Sequence, residues 1–343
     1  MITVFHEDQL GHRVRTRLFG GTLIGTLEVP ERIDELRKVA ARCTDGMSAP
    51  APAPRDIIEA LHEPGYLRFI EEGFSEWSKR FPDSPEMRPS LHRNHNMKGL
   101  PRDIVGKAGY YISDSASVLL HDSWSAILAS AATALDATRR VLDGAGSAYA
   151  LCRPPGHHAY ADQACGYCFL NNAGLAATLA RRQGLRVSIL DVDVHHGNGT
   201  QSLFYDSRDV QTVSVHSDPR DTFPFFTGYV DERGKGEGEG FNVNIPVAFH
   251  STDEAYLAGV RAAVDAVWAY APDIVVLALG LDASEHDPAD AMNMSTDGFK
   301  RMGELTGTLG LPTVLVQEGG YPSPVLGANL QAYLENFRAA SGH

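Results

Sequence analysis

The feature that most constrains the fold is an alternation of short apolar segments with longer amphipathic segments over the last two-thirds of the chain. The apolar segments are runs of Val, Ile, Leu and Ala at 148–152, 187–192, 210–215, 274–279 and 313–317. Such runs are typical of parallel strands covered on both faces. Apolar residues at three- and four-residue spacing predict helices at 123–142, 173–183, 254–269, 296–308 and 324–337. The alternation predicts an α/β fold with a parallel sheet and helices on both faces.

Residues 72–122 interrupt this pattern. They contain scattered Pro, Arg, His and Asn, and Gly109-Tyr110-Tyr111 lies near their end. Because regular structure is predicted on both sides, the segment is interpreted as a long insertion and not as a linker. The chain shows no internal repeat, so residues 1–343 are predicted to form a single domain.

Composition excludes several classes of protein. Hydrophobic residues make up 43% of the 343, enough for a substantial core. The net charge of −13, from 30 basic and 43 acidic residues, disfavours nucleic acid as a partner. No apolar run approaches the about 20 residues needed to cross a bilayer, so no membrane partner is expected. The start of the chain does not follow the basic-then-apolar plan of a signal peptide, which predicts a cytoplasmic protein.

The chain has four cysteines, and two of them form a Cys-x-x-Cys pattern at Cys165 and Cys168. This pattern occurs in redox pairs and in zinc knuckles. No second Cys or His pair stands at knuckle spacing, so free, packed thiols are predicted for all four. A disulfide between Cys165 and Cys168 stays open.

Polar side chains follow several of the predicted strands. Asp191, Asp193 and His195 come at the end of one strand, Asp282 follows another, and Tyr321 lies after a third. In parallel α/β sheets, ligands bind outside the carboxyl ends of the strands. Asp193 and His195 are two residues apart, so on an extended segment they point to the same side. With Asp282 they form a three-ligand set that leaves positions open, as in a catalytic zinc site.

Two adjacent histidines, His157 and His158, lie in a stiff Pro-Pro-Gly turn after a further strand. Asp191 and Asn198 are the candidates for orienting the two imidazoles, and a carboxylate partner would raise the basicity of one of them. Tyr321 follows two glycines, so its phenol can approach a carbonyl oxygen on which negative charge develops.

These segments resemble the histone deacetylase superfamily and, within it, the bacterial acetylpolyamine amidohydrolases. The matching motifs are Arg17-Leu-Phe-Gly-Gly21, Arg153-Pro-Pro-Gly-His-His158, Gly166-Tyr-Cys-Phe-Leu-Asn-Asn172, Asp191-Val-Asp-Val-His-His-Gly-Asn-Gly199, Leu279-Gly-Leu-Asp282 and Glu318-Gly-Gly-Tyr321. The resemblance covers nearly the whole chain. It implies an arginase/deacetylase fold with a central parallel sheet of about eight strands.

The resemblance also implies metal sites. One catalytic Zn²⁺ would be bound by Asp193, His195 and Asp282. Structural K⁺ or Na⁺ ions are implied at two further sites, which involve Asp191, Asp193, His195, Ser214 and Val215 in one case and Phe204, Ser207 and Val210 in the other.

The resemblance implies a hydrolytic mechanism in which zinc and the two histidines activate a water that attacks an amide carbonyl. His158, oriented by Asn198, would act as general base and then as general acid. His157, paired with Asp191, would contribute mainly electrostatically. Tyr321 would polarise the carbonyl together with the zinc.

The same resemblance implies a narrow tunnel walled by Gly166, Tyr167 and Phe223, with Phe225 as a neighbour. The insertion at 72–122 resembles the segment that narrows the tunnel and forms subunit contacts in the polyamine enzymes. A homodimer or homotetramer is therefore expected, with a small-molecule amide as substrate.

The chain departs from the polyamine enzymes at two acidic positions of the insertion. Val105 and Ala116 stand where glutamates are typical. Each close charge pair contributes on the order of a few kcal/mol at an effective dielectric constant of about 20, so their loss matters for a cationic amine. Four carboxylates could compensate: Asp103, Asp114, Glu285 and Asp287. Small neutral or xenobiotic amides are therefore an alternative to acetylpolyamines.

Three other readings stay open. An arginase-like dinuclear manganese enzyme would need a carboxylate two residues after Asp282, where the chain has Ser284. A non-catalytic binding protein would commonly have lost a ligand, a histidine or the tyrosine, and all are present here. A deacetylase of acetyl-lysine in proteins is disfavoured if the insertion narrows the tunnel.

Overall fold

The computed structural model describes residues 1–94 and 96–342. The strands are β1 Ile2–Val4, β2 Thr16–Phe19, β3 Thr22–Gly25, β4 Met47–Ser48, β5 Ser147–Ala150, β6 Val187–Asp191, β7 Val210–Ser217, β8 Asn242–Val247, β9 Ile274–Leu279 and β10 Thr313–Gln317. The α-helices are α1 Glu31–Cys43, α2 Arg55–Glu59, α3 Pro64–Arg80, α4 Ile104–Tyr111, α5 Ser123–Leu142, α6 Asn172–Arg181, α7 Asn198–Phe204, α8 Asp253–Tyr270, α9 Thr296–Gly307 and α10 Leu326–Ser341. Short 3₁₀ helices span Glu7–Gly11 and Gly236–Gly238.

Eight strands form one sheet in the order β4-β1-β5-β10-β9-β6-β7-β8, and every neighbouring pair is parallel. The predicted α/β class and eight-stranded parallel sheet are thus confirmed. The remaining strands, β2 and β3, form an antiparallel hairpin outside this sheet.

Helices cover both faces of the sheet, as the apolar strands predict. Successive residues of a strand point to opposite faces. Ile189 of β6 packs in a cluster that includes alanines of α5 and α6. Its neighbour Leu190 packs in a second cluster with residues of α1, α8, α9 and α10. Both side chains are buried, which explains why β6 is apolar at consecutive positions.

The segment predicted as an insertion, 72–122, is partly regular. Residues 72–80 are the second half of α3, and α4 lies within the segment. Met87 and Leu119 pair across it and pack with Tyr66 of α3 and Leu170 in a third apolar cluster. The segment is therefore anchored to the domain by its own small core. Across the described parts of the chain, no helix is both long enough and apolar enough to span a membrane.

Candidate active site

The predicted site residues meet at the carboxyl edge of four adjacent strands. The loops after β5, β10, β9 and β6 carry residues 153–158, 318–321, 280–282 and 191–198, and these strands are consecutive in the sheet. Parallel strands end at the same edge, so four sequence-distant loops converge there. We call these four loops the catalytic edge.

Asp193, His195 and Asp282 lie together at the centre of the catalytic edge. One potential ligand atom from each lies within 4.8 Å of the others. His195 Nδ1 is 3.2 Å from Asp193 Oδ1 and 3.1 Å from Asp282 Oδ2. Gly319 packs against both carboxylates, and a Cβ there would lie 2.1 Å from Asp282 Oδ2, so the close approach requires glycine.

The charges of this cluster fit a divalent cation. Asp193 and Asp282 are completely buried. Burial and the charge of Asp193 raise the pKa of Asp282. Burial alone would lower the pKa of His195, but its hydrogen bonds to both carboxylates raise it to about 10. Positive charge is thus strongly favoured between the carboxylates, and two carboxylates with one imidazole are ligands that zinc accepts.

The two histidines of the catalytic edge have different partners. His157 Nδ1 is 2.9 Å from Asp191 Oδ2, whereas His158 Nδ1 is 2.6 Å from Asn198 Oδ1. Burial opposes a charge on His157, but nearby carboxylates, including Asp191, raise its pKa to about 10. Burial and the charges of neighbouring histidines lower the pKa of His158 well below its usual value. The imidazole of His157 is therefore cationic, and that of His158 is neutral.

Glu318 supports the turn that carries the histidines, a contact that the sequence did not reveal. Its Oε2 accepts hydrogen bonds from the backbone N–H groups of Gly156, at 2.6 Å, and His157, at 3.1 Å. Burial raises the pKa of Glu318 to about 7. Arg32 donates to the carbonyl oxygens of Glu318 and Gly320, which fixes the turn before Tyr321.

A buried ionic cluster lies behind these turns. Arg153 Nε donates to Glu28 Oε1 at 2.8 Å, and Arg32 Nη1 is 3.5 Å from the same carboxylate oxygen. All three side chains are almost completely buried, so removal of one partner would leave an uncompensated charge. Arg32 follows Glu28 at i,i+4 spacing, but no sequence signal pairs Glu28 with Arg153, which is 125 residues away.

Tyr321 is buried, and its ring faces the cavity of the site. Its backbone N–H donates to Asp287 Oδ2 at 2.8 Å. Burial raises the pKa of the Tyr321 phenol well above its usual value, so the hydroxyl stays protonated and can donate. Asp287, a candidate for compensating the missing glutamates, is instead buried against this turn, and burial raises its pKa to about 8.

A cavity of about 570 Å³ opens onto the site. Its lining includes the histidines His158 and His195 and the catalytic-edge Tyr321. All four residues predicted to wall a tunnel also line it: Gly166, Tyr167, Phe223 and Phe225.

The wall of the cavity approaches His158 closely. The ring of Phe223 meets that of His158 edge-on at 4.9 Å. Gly166 has a φ of +54°, and a Cβ there would lie 2.2 Å from His158 Cδ2. Position 166 therefore requires glycine, because the φ angle is positive and a side chain would clash with His158.

The cysteines are free and buried, as predicted. Cys165 and Cys168 pair through their backbones in the wall of the cavity, with N–H to carbonyl distances of 3.1 and 2.8 Å. Burial raises the pKa of Cys165 to about 12, so its thiol stays protonated.

The residues implied for monovalent cations fall into two places. Ser214 pairs with Asp191 in the sheet register, and Val215 follows it in β7, beside the catalytic edge. The second set, Phe204, Ser207 and Val210, lies where α7 leads into β7.

Comparison with known proteins identifies the class. A family described as "Histone deacetylase domain" matches residues 26–337. The chain therefore belongs to the histone deacetylase family.

Individual relatives narrow the similarity. The chain is 42% identical to "Acetylpolyamine amidohydrolase" of Burkholderia pseudomallei, with 100% of each chain covered. It is 39% identical to "Acetylpolyamine amidohydrolase 2" of Pseudomonas aeruginosa, with 98% of each covered. A crystal structure of acetylpolyamine aminohydrolase from Burkholderia pseudomallei superposes with a TM-score of 0.95, at 41% identity and 99% coverage of both chains. These similarities support deacetylase or amidohydrolase activity for this chain.

Proposed function

We propose that this protein is a zinc-dependent amidohydrolase that removes the acyl group from small N-acyl amines. The observation that carries the proposal is the cluster of Asp193, His195 and Asp282 beside the adjacent histidines His157 and His158, with His158 and His195 lining one cavity. The relatives named as acetylpolyamine amidohydrolases support amide hydrolysis as the reaction.

Asp193, His195 and Asp282 would hold the zinc ion. When bound, zinc acts as a Lewis acid that polarises the carbonyl and lowers the pKa of water.

The histidines would move the protons. Because His158 Nδ1 faces the Asn198 amide oxygen, Nδ1 carries the hydrogen and Nε2 has the free lone pair. His158 can therefore take a proton from the attacking water at Nε2 and deliver it to the leaving nitrogen. The cationic His157 beside Asp191 stabilises the negative charge that develops on the substrate.

Tyr321 would donate its phenolic hydrogen bond to the substrate carbonyl oxygen. Its protonated state and its place in the cavity support this role. A donor aimed at a developing oxyanion typically contributes about 10²–10³ in rate.

Of the four candidate compensating carboxylates, Asp114 alone lines the cavity, where its oxygens accept the backbone N–H groups of Ala116, Ser117 and Gly166. Asp103 caps α4 and pairs with Arg80. Glu285 is half exposed and lies 4.0 Å from His286. Ala116 lines the cavity where a glutamate is typical of polyamine enzymes. These positions favour a second candidate function, hydrolysis of small amides that are not cationic.

Assembly and structural cations are further proposals. We propose that segment 72–122 mediates a homodimer or homotetramer, because Leu91, Met97 and Leu100 within it are more than half exposed. Light scattering on the purified protein tests the assembly. K⁺ and Na⁺ binding at the two predicted sites is tested by unfolding midpoints in matched KCl, NaCl and choline chloride.

The function is tested with protein stripped by a chelator and then reloaded with zinc. We expect the stripped protein to lose nearly all amide hydrolysis and zinc to restore it. kcat/KM is measured for acetylputrescine, acetylspermidine, a neutral N-alkyl acetamide and an acetyl-lysine peptide. Absence of turnover for every amide after reloading would refute the enzyme assignment, and preference for the peptide would refute the small-substrate assignment.

A further inference from the structure

The cavity contains one arginine, Arg17, whose charge the hydrolytic mechanism does not use. Arg17 lies in β2, on the hairpin outside the main sheet. Its side chain lines the same cavity as His158, His195 and Tyr321. A fixed positive charge thus shares the chamber in which the amide would be cleaved.

The guanidinium of Arg17 has no anionic partner among the described residues. Its Nε is buried and makes no hydrogen bond there. Its only close aromatic contact is with Phe19, whose ring centroid is 5.2 Å from the guanidinium carbon. The two arginines of the buried ionic cluster behind the site, Arg32 and Arg153, by contrast share the carboxylate of Glu28. A buried donor without an acceptor is costly, so a ligand that supplies one would be favoured.

The charge of Arg17 acts on Tyr167, which is a neighbour of Tyr321. Burial raises the pKa of Tyr167, and Arg17 acts against that rise. The Tyr167 ring is in turn 6.1 Å from that of Tyr321. Arg17, Tyr167 and Tyr321 therefore line one cavity, and Tyr167 is in ring contact with the phenol that would contact the carbonyl.

The acidic groups of the cavity form no ion pair with Arg17 among the described residues. The oxygens of Asp114 instead accept three backbone N–H groups, from Ala116, Ser117 and Gly166. Asp221 and Asp290 also line the cavity, but they are exposed at its rim. Water and salt screen exposed charges strongly, whereas a partly buried guanidinium is screened less.

We propose that Arg17 forms a subsite for a carboxylate on the amine portion of the substrate. The preferred substrates are then short N-acyl amino acids and related acidic amides. This inference rests on the proposed amidohydrolase function and specifies its substrate class. The planar guanidinium binds a carboxylate through two parallel hydrogen bonds, which would also satisfy the orphan Nε.

The test uses three acetamides of matched length that differ in charge: 4-acetamidobutyrate, N-butylacetamide and N-acetylputrescine. For the zinc-loaded protein we expect kcat/KM for the anion to exceed that for the neutral amide by about tenfold, the size of one charge-assisted hydrogen bond. Arg17→Gln should remove most of this ratio, and Arg17→Glu should invert it in favour of the cation. Arg17→Lys should restore part of it.

Arg13→Gln is the matched control, because it removes the same charge from an exposed arginine four residues away. It should leave the anion-to-neutral ratio unchanged. Hydrolysis of all three acetamides with a ratio insensitive to Arg17 would overturn the carboxylate subsite while the amidohydrolase function stood. Failure to hydrolyse any of them would count against the function itself. A change of assembly state in Arg17→Gln, seen by light scattering, would instead assign Arg17 to a subunit contact and overturn the subsite.

Discussion

The catalytic edge and the outer part of the cavity are built in opposite ways. We call the outer part the outer wall: the β2–β3 hairpin, residues 81–122 and the loop 221–226. The side chains of the catalytic edge are buried and bound to several backbone groups, as Asp193 is to the N–H groups of His195 and Gly319. The outer wall exposes large apolar side chains, including 65% of Phe19 and 91% of Phe226.

This contrast predicts that the reaction and the choice of substrate depend on different regions of the protein. The catalytic edge follows from strands packed in one core, so its geometry is determined by the whole domain. The outer wall has its own small core, and Arg17 and Ala116 lie outside that core and are only partly buried, so such single residues can change without disturbing the fold. The reaction is therefore expected to depend on the first region and substrate choice on the second.

The largest effect is expected from the phenol of the catalytic edge. Tyr321→Phe should lower kcat by about 10²–10³, because it removes the donor to the developing oxyanion. The Tyr321 hydroxyl makes no hydrogen bond to the residues that the structure describes, so Tm should change little. Steady-state kinetics and thermal unfolding measure the two quantities.

Tyr149→Phe is the control for this variant. The Tyr149 hydroxyl donates to Gln317 Oε1 at 2.6 Å in the core below the site. Its loss should lower stability by about 1 kcal/mol and leave kcat nearly unchanged. Equal losses of kcat in the two variants would show that the Tyr321 phenol has no special role in the reaction.

A smaller loss is expected from the residue that orients His158. Asn198→Ala should reduce kcat/KM by roughly 10–100-fold, because the imidazole loses the acceptor for its Nδ1–H. Asn198→Asp should keep that acceptor, raise the pKa of His158 and move the acid limb of the kcat/KM profile to higher pH. A profile that does not move would show that His158 is not the titrating base.

The next largest expected effect is the pH dependence of stability that comes from His62. This residue lies between α2 and α3 and contacts the segment after His157 and His158. His62 Nε2 accepts the N–H of Asn171, and its Nδ1 bonds the Tyr160 carbonyl oxygen. Burial lowers the pKa of His62 to about 4, below the value of about 6.5 in the unfolded chain. The unfolded state therefore binds the proton first, so stability is full above pH 6.5 and falls as the pH drops towards 4.

Removal of this group tests that dependence. Between pH 6.5 and 4, His62 should contribute about 1.4 kcal/mol of lost stability per pH unit. In urea unfolding, His62→Gln should be less stable at pH 7.5. Between pH 6.5 and 4, its free energy of unfolding should fall less steeply with decreasing pH, by the contribution of one proton. An unchanged slope would mean that other buried histidines, such as His12 with its pKa of about 3, carry the acid sensitivity.

The smallest effect is expected from the outer wall. Phe225 is about half exposed, so Phe225→Ala removes little buried area. We expect kcat/KM to change by less than about fivefold, mainly through KM, with Tm unchanged. A loss as large as that of Tyr321→Phe would place Phe225 in the catalytic edge and break the comparison between the regions.

Much of the fold could be predicted from local sequence. The strands β9 and β10 lie at 274–279 and 313–317, as their apolar runs predict, and α5 spans 123–142. Boundaries differ where packing decides them: the pattern predicts a helix at 324–337, and α10 spans Leu326–Ser341. The pattern predicts an insertion from residue 72 onward, whereas residues 72–80 continue α3 because apolar side chains among them pack on the third cluster.

The sequence by itself determined which residues meet at the catalytic edge, and it predicts that they carry the chemistry. Asp193 and His195 are two residues apart on one strand end, and His157 and His158 are adjacent, so short-range geometry brings each pair together. Only the tertiary structure decided the rest. Glu318 binds the N–H groups of Gly156 and His157 across more than 160 residues.

The tertiary structure likewise placed Asp287 behind Tyr321 and Arg17 in the cavity. Neither placement follows from periodicity, because Asp287 lies on an irregular segment and Arg17 lies in a hairpin outside the main sheet. Local patterns specify strands, helices and the residues at their ends, whereas the direction of a loop side chain depends on how the assembled core packs against it.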